Sequence, residues 1–219
     1  MSGVPEPRPR RLLAALLAGV ALTVSACGAG GGADGGTDAV SGLQAADNHG
    51  YHGAYLDDPY VVPDVALPDS AGTSYSLASA PAPLKLVFFG YTHCPDICQV
   101  VMSTIASAVS RLDTAQRKQV QVVFVTTDPA RDTGPVLRTY LDRLDPDFVG
   151  LTGNLPRIVD LATPLKVYIE KGDKLPSGGY DVTHTTEVFG VTGDKARIAW
   201  GQDTSPAELK ADIIKLLAS

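Results

Sequence analysis

The sequence predicts an α/β domain with a central mixed sheet flanked by helices. Two short, almost continuous apolar runs carry that expectation first: residues 84–89 (LKLVFF) and 120–125 (VQVVFV). Their length and β-branched or aromatic texture suit strands buried on both faces of a mostly parallel sheet. Each is followed by a stretch whose apolar residues recur at helical spacing. The later part of the chain then offers strand candidates joined by a hairpin signal, Thr192-Gly193-Asp194-Lys195, and a helix with its own start signals.

The elements follow in order. Val61, Val62, Val65 and Leu67, with turn residues at 69–72, predict short strands or a hairpin ahead of the main sheet. The run at 84–89 ends at Gly90. Residues 95–112 then place Ile97, Val101, Ile105, Ala108 and Leu112 along one side of a helix. Pro95 suits its first turn, which puts Cys94 at or near the N-cap and Cys98 one turn further on. After the strand at 120–125, residues 134–144 read as a helix through Val136, Leu137, Tyr140, Leu141 and Leu144. Another helix is expected at 155–162. Strands are expected at 165–169, 186–191 and 196–200. Ser205 caps the last helix, with Pro206 in its first turn and Glu208 three residues past the cap. A β-α-β front half followed by a β-β hairpin and a helix is the thioredoxin order.

Composition agrees with a packed domain. The 219 residues are 44% hydrophobic and 19% charged, which excludes a fully disordered or collagenous chain. The net charge is −6, and removal of residues 1–26 takes away Arg8, Arg10, Arg11 and Glu6, leaving 15 basic and 23 acidic groups, net −8. So acidic a chain is a poor binder of phosphate backbones, and nucleic acid is excluded as a partner. The three cysteines, at 27, 94 and 98, cannot build a multi-bridge disulfide scaffold.

Residues 1–26 read as an export signal. A basic start, with Arg8, Arg10 and Arg11, precedes an apolar run from 12 to 24. At about 13 residues that run is short for a bilayer span and right for a signal-peptide core. It closes on Val24-Ser25-Ala26-Cys27, which resembles the bacterial lipobox. By that resemblance Cys27 is the lipid-modified first residue of the mature protein. Residues 28–42 (GAGGGADGGTDAVSG) cannot build a core and read as a flexible tether. The expected organisation is a signal peptide at 1–26, a lipidated N-terminus and tether at 27–57, and a folded domain at 58–219. The folded part is expected at the extracytoplasmic face of the cell membrane, where disulfides are chemically permitted.

The chemistry concentrates at Cys94-Pro95-Asp96-Ile97-Cys98, between a buried strand and a helix. Residues four apart on a helix lie about 6 Å apart, which allows either a disulfide or two sulfurs on one metal ion. The helix dipole favours thiolate at this end, the form that both reacts and ligates. The pair alone is compatible with redox chemistry or with metal binding. Of the four histidines, His49 and His52 fall in the tether-like segment and are expected in solvent. His93 is expected to point away from the cysteines. His184 lies in a polar loop that a thioredoxin order brings beside the start of the cysteine helix.

Residues 89–98 (FGYTHCPDIC) resemble the FGxTxCPDxC stretch of the Sco/SenC proteins of cytochrome c oxidase assembly. Residues 127–133 (TDPARDT) resemble the family's DPxRDT stretch, and Leu151-Thr152-Gly153 resembles a third short signature. The resemblance covers roughly residues 58–218, and His184 occupies the place of the family's metal-binding histidine. It implies a thioredoxin-like fold and copper, as Cu(I) or Cu(II), held by Cys94, Cys98 and His184. It also implies delivery of that copper to the dinuclear centre of cytochrome c oxidase subunit II, alongside other copper-handling proteins. A monomer is expected. The family commonly has Asp-His-Ser at the histidine, whereas this chain has Thr183-His184-Thr185, a departure that bears on how the imidazole is oriented. Asp128 and Asp132 are expected to order their loop, with Arg131 as a partner.

Two soft sulfurs and an imidazole suit Cu(I). The rival function is that of an enzyme, a thiol-disulfide oxidoreductase with Cys94 attacking and Cys98 resolving. No proline adjoins His184, unlike the cis-proline that faces the cysteines of thioredoxins, which argues against a general disulfide reductase. A thiol peroxidase would need no His184, and three ligands in an exposed loop make a poor closed cage for structural zinc.

Overall fold

The structure, a computed structural model, describes residues 48–174 and 180–219. Cys27, the signal segment and the tether upstream of Asn48 lie outside the described residues. In chain order the elements are β1 (Ala54–Val61), β2 (Ala66–Pro68), β3 (Ser74–Ser76), β4 (Leu84–Gly90), α1 (Ile97–Val109), α2 (Thr114–Arg117) and β5 (Val120–Thr126). There follow α3 (Gly134–Leu141), β6 (Val149–Leu151), α4 (Leu155–Ala162), β7 (Ile169–Lys174), β8 (Tyr180–His184), β9 (Val188–Thr192), β10 (Lys195–Trp200) and α5 (Pro206–Leu217).

Six strands form the main sheet in the order β1-β10-β9-β4-β5-β6. β4 pairs in parallel with β5, and β5 with β6, whereas β9, β10 and β1 run antiparallel to their neighbours. This is the expected mixed sheet with flanking helices. All seven residues of β4 are buried, as its continuous apolar run requires. Because successive side chains point to opposite faces, the strand feeds two cores. Leu84, Leu86 and Phe88 pack with α1, α3 and α5 through Ile105, Leu137 and Ile213. Val87 and Phe89 pack on the other face with Ile158 and Leu161 of α4 and with Leu67. Each such side chain contributes about 1.5–3 kcal/mol of burial. The polar exception in β4 is Lys85, whose Nζ escapes to the far edge and donates to the Gly193 carbonyl at 2.9 Å.

Several expectations need correction. The sheet begins at Ala54, ahead of the boundary placed at 58, because β1 pairs with β10 from Ala54↔Ala199 onwards. His49 and His52 are exposed, as expected, but the segment that carries them is tied to the domain. His49 Nε2 meets Asp57 Oδ1 at 2.9 Å, and the His52 amide donates to Asp212 at 3.0 Å. Residues 165–169 do not form a strand. Thr163–Leu165 is a 3-10 turn held by Pro164, and Lys166 at φ +60 turns the chain before β7 starts at Ile169. The last helix and its hairpin follow the sequence closely: Ser205 and Glu208 form a reciprocal capping box, and Gly193 at φ +56 opens the two-residue turn between β9 and β10.

Candidate metal centre

The centre is assembled at the end of β4. Past Gly90 the chain turns through Tyr91–Thr92–His93, closed by the Cys94 amide donating to the Tyr91 carbonyl at 3.2 Å. Helix α1 starts later than Pro95 suggested. Asp96 is its N-cap residue and makes no side-chain cap, so Cys94 lies ahead of the helix and Cys98 falls in its first turn. The missing cap is supplied by sulfur: the Cys98 amide points at Cys94 Sγ at 3.4 Å. One of the open N–H groups at the helix start therefore faces the sulfur directly.

The third member arrives from another part of the fold. His184 ends strand β8, not a loop, and pairs with Ile169 of β7 in a two-stranded ribbon. Its Nε2 stands 3.5 Å from Cys98 Sγ. The three potential ligand atoms of Cys94, Cys98 and His184 all lie within 4.8 Å of one another. Among the described residues this is the one cluster of three such side chains close enough to share an ion. Cys98 is fully buried and Cys94 half-buried, so the group has an inner wall and an open side.

The orientation of the imidazole has a specific cause. His184 Nδ1 is 2.8 Å from the Thr185 carbonyl oxygen, which can only accept. In the neutral ring Nδ1 therefore carries the proton, and Nε2 presents a lone pair to the sulfurs. A backbone carbonyl thus performs the orienting task that the Thr183-His184-Thr185 sequence left open. Phe88 and Tyr91 meet the ring edge-on, at centroid distances of 6.0 and 5.9 Å.

The sulfurs share their protons unequally. The Cys98 thiol donates to Cys94, and this hydrogen bond, opposed by desolvation and aided by the Asp96 and Cys98 backbone, brings Cys94 down to about 4. Cys98 moves the opposite way, because it holds the shared proton and is buried. One thiolate and one thiol face each other in the metal-free site.

A buried carboxylate ties the ligand loop down. Asp132, fully buried, accepts from the Thr92 amide at 2.9 Å, from Thr92 Oγ1 at 2.6 Å and from Thr126 Oγ1 at 2.7 Å. The expected loop-ordering role is thus extended: Asp132 fixes the cysteine loop to β5. Asp128 pairs with Arg131, whose guanidinium lies 5.6 Å from the Tyr91 ring centre. His93 joins the network through Thr92 Oγ1 at 3.0 Å and lies outside the ligand cluster, as its position beside the turn suggested. Thr92, Thr126 and Gly90 are the residues that sequence reasoning missed. A Cβ on Gly90 would stand 3.1 Å from Cys98 Sγ and 2.8 Å from Phe88, so only glycine leaves the sulfur its space.

Chemically, two sulfurs and one imidazole with an open side can bind a soft metal ion three ways, or the sulfurs can close a disulfide. Comparison with known proteins narrows the choice. Residues 54–218 match the SCO1/SenC family. The chain is 31% identical to the mitochondrial protein SCO2 of Saccharomyces cerevisiae over 65% of its own length and 46% of that protein's. It covers 60% of a relative from Stutzerimonas stutzeri, so it spans roughly half of these two relatives' length. Among solved structures, apo Sco1 of Thermus thermophilus is similar at 30% identity and TM-score 0.69, covering 76% of this chain and 96% of that one. ScoI of Bradyrhizobium japonicum, solved with copper bound, is similar at 28% identity and TM-score 0.64, covering 71% and 99%.

Proposed function

The chain belongs to the SCO1/SenC family, and from that premise we propose that it is a copper metallochaperone serving the assembly of cytochrome c oxidase. Its cargo is copper, carried by Cys94, Cys98 and His184 and handed to the dinuclear copper centre of subunit II. The protein works as a monomer, anchored through a lipid on Cys27 at the extracytoplasmic face of the cell membrane.

The observation that carries this reading is the convergence of two sulfurs and an oriented Nε2 within 4.8 Å. Thiolate and imidazole together are a soft donor set suited to Cu(I). Two thiolates leave a Cu(I) site at net −1, and the half-exposed Cys94 gives an acceptor's thiolate a side to approach. Exchange then breaks one copper–sulfur bond as it forms another.

The test is metal content after reduction and copper loading. Wild type should hold one copper per chain. Cys94→Ala and Cys98→Ala should nearly abolish retention of Cu(I). His184→Ala should still hold Cu(I), more weakly, and lose the intense sulfur-to-copper absorption of the Cu(II) form. His93→Ala should behave as wild type. A site that needs His93 and dispenses with His184 would overturn the proposal.

The stabilised Cys94 thiolate favours a second reading, a thiol-disulfide oxidoreductase acting on the cysteines of the same copper centre. Cys94 would attack the target disulfide and release one thiolate. Cys98, giving up its proton, would then attack Cys94 and release the second. The target gains two electrons and this chain keeps a Cys94–Cys98 disulfide. His184→Ala separates the readings, since it should damage copper binding and leave disulfide exchange largely intact.

A further inference from the structure

Residues upstream of the sheet are held to the domain by a device that metal binding does not use. Asp212 of α5 is buried, and its hydrogen bonds come from backbone amides and an indole. Its carboxylate accepts from the His52 amide at 3.0 Å, from the Gly53 amide at 2.9 Å and from the Trp200 indole at 2.8 Å. Lys215, also on α5, donates to the His49 carbonyl and stands 4.3 Å from the centre of the Tyr51 ring. The fit is close: a Cβ on Gly53 would lie 2.5 Å from the Trp200 ring. Trp200 in turn shares a small cavity with Val101, Thr104 and Ile105 of α1, the helix that carries Cys98.

Strand register locates this strap. Ala54 faces Ala199, Ala199 faces Phe189, and Phe189 faces Val87. These four residues form one row across the sheet, three strand spacings or about 15 Å wide. Val87 is three residues short of Gly90, where the ligand loop begins. The chain therefore enters the sheet at the end that carries the metal cluster. The β9–β10 turn at Gly193 is at the opposite end.

We infer that residues 48–53 are a strap, pinned by Asp212 and Trp200, which makes the membrane tether pull on the domain from its metal-bearing end. An anchored domain then offers Cys94, Cys98 and His184 to an acceptor held at the membrane surface, rather than to one free in the surrounding fluid. This rests on the proposed lipid anchor at Cys27.

The test uses the full lipidated chain on phosphatidylcholine vesicles. A photo-reactive phenylalanine replaces either Gln202, just past β10 at the metal end, or Asp194, at the far turn. Lipid cross-links from position 202 should exceed those from 194 several-fold. Gly53→Ala, which cannot seat against Trp200, should shrink that excess and raise amide exchange at residues 51–54 about tenfold, with copper binding unchanged. Asp212→Asn, which keeps one acceptor oxygen, should act the same way more weakly. Equal cross-linking from both ends on vesicle-bound protein, or unchanged exchange in Gly53→Ala, overturns the strap. Failure to sediment with vesicles at all overturns the lipid anchor, and with it this inference.

Discussion

Three groups favour the thiolate of Cys94: the Cys98 thiol foremost, then the backbone amides of Asp96 and Cys98. Only burial opposes them. With the pKa brought from 9.0 to about 4, the sulfur is ionised at every pH above that value and is neutralised as the pH falls through it. An ordinary thiol would be about 3% ionised at pH 7. In reduced, metal-free protein, alkylation of Cys94 by iodoacetamide should therefore hold a plateau from neutral pH down to about 5 and decline below. Cys98, buried and protonated, should stay unmodified until the protein is unfolded. An alkylation midpoint near 9 for Cys94 would show that the Cys98 proton does not serve it. At this scale the site was largely legible. The cysteine pair could be named from its spacing at a strand-to-helix turn, whereas His184, one of four histidines, was singled out by the family resemblance. The Thr185 carbonyl that orients His184 could not be named, because any residue would supply the same atom.

Elements were legible in proportion to how far local signals settle them. β4, β5 and α5 follow from continuous apolar runs and a capping box, which need no distant partner to interpret. β8 and the ribbon it makes with β7 were missed, since their pairing rests on each other and not on the main sheet. The start of α1 was misplaced because proline in a first turn is a common signal, whereas here the loop is closed by Asp132 from across β5. That carboxylate gives an element-scale prediction. Asp132→Asn keeps the shape but turns one acceptor into a donor facing the Thr92 or Thr126 hydroxyl or the Thr92 amide. The loss should be about 1–3 kcal/mol, read as a lower urea midpoint. Copper retention should fall as well, because Thr92 is two residues from Cys94. Gly90→Ala should act from beneath: its methyl overpacks Phe88 and Cys98 for about 1–3 kcal/mol and displaces a ligand. If either variant loses stability while keeping wild-type copper affinity, the loop is rigid for folding alone.

The molecule as a whole places one end of a mixed sheet at the service of three side chains, brought from α1, the loop before it and β8. Crossing from β4 to α1 supplies the sulfurs, the separate β7–β8 ribbon brings back His184, and the antiparallel half of the main sheet brings back the chain's own entry point. Under the proposed function, work at a membrane depends on attachment. Among the described residues no helix is long and apolar enough to cross a bilayer. Nor can charge hold the domain to a surface: after residue 26 the chain carries 15 basic against 23 acidic groups, and anionic lipid repels it. On the proposed reading the anchor is the lipid on Cys27. Cys27→Ser should accordingly leave the membrane fraction completely, while its copper content after loading stays at one per chain, because the three ligands lie between residues 94 and 184. Raising the ionic strength should not release the wild type, since a buried acyl chain is not screened by salt. The measurement is fractionation after a carbonate wash, followed by metal analysis of the soluble protein. Cys27→Ser protein that stays with washed membranes would place the anchor elsewhere in the chain. Soluble protein that no longer holds copper would mean that attachment is part of the site.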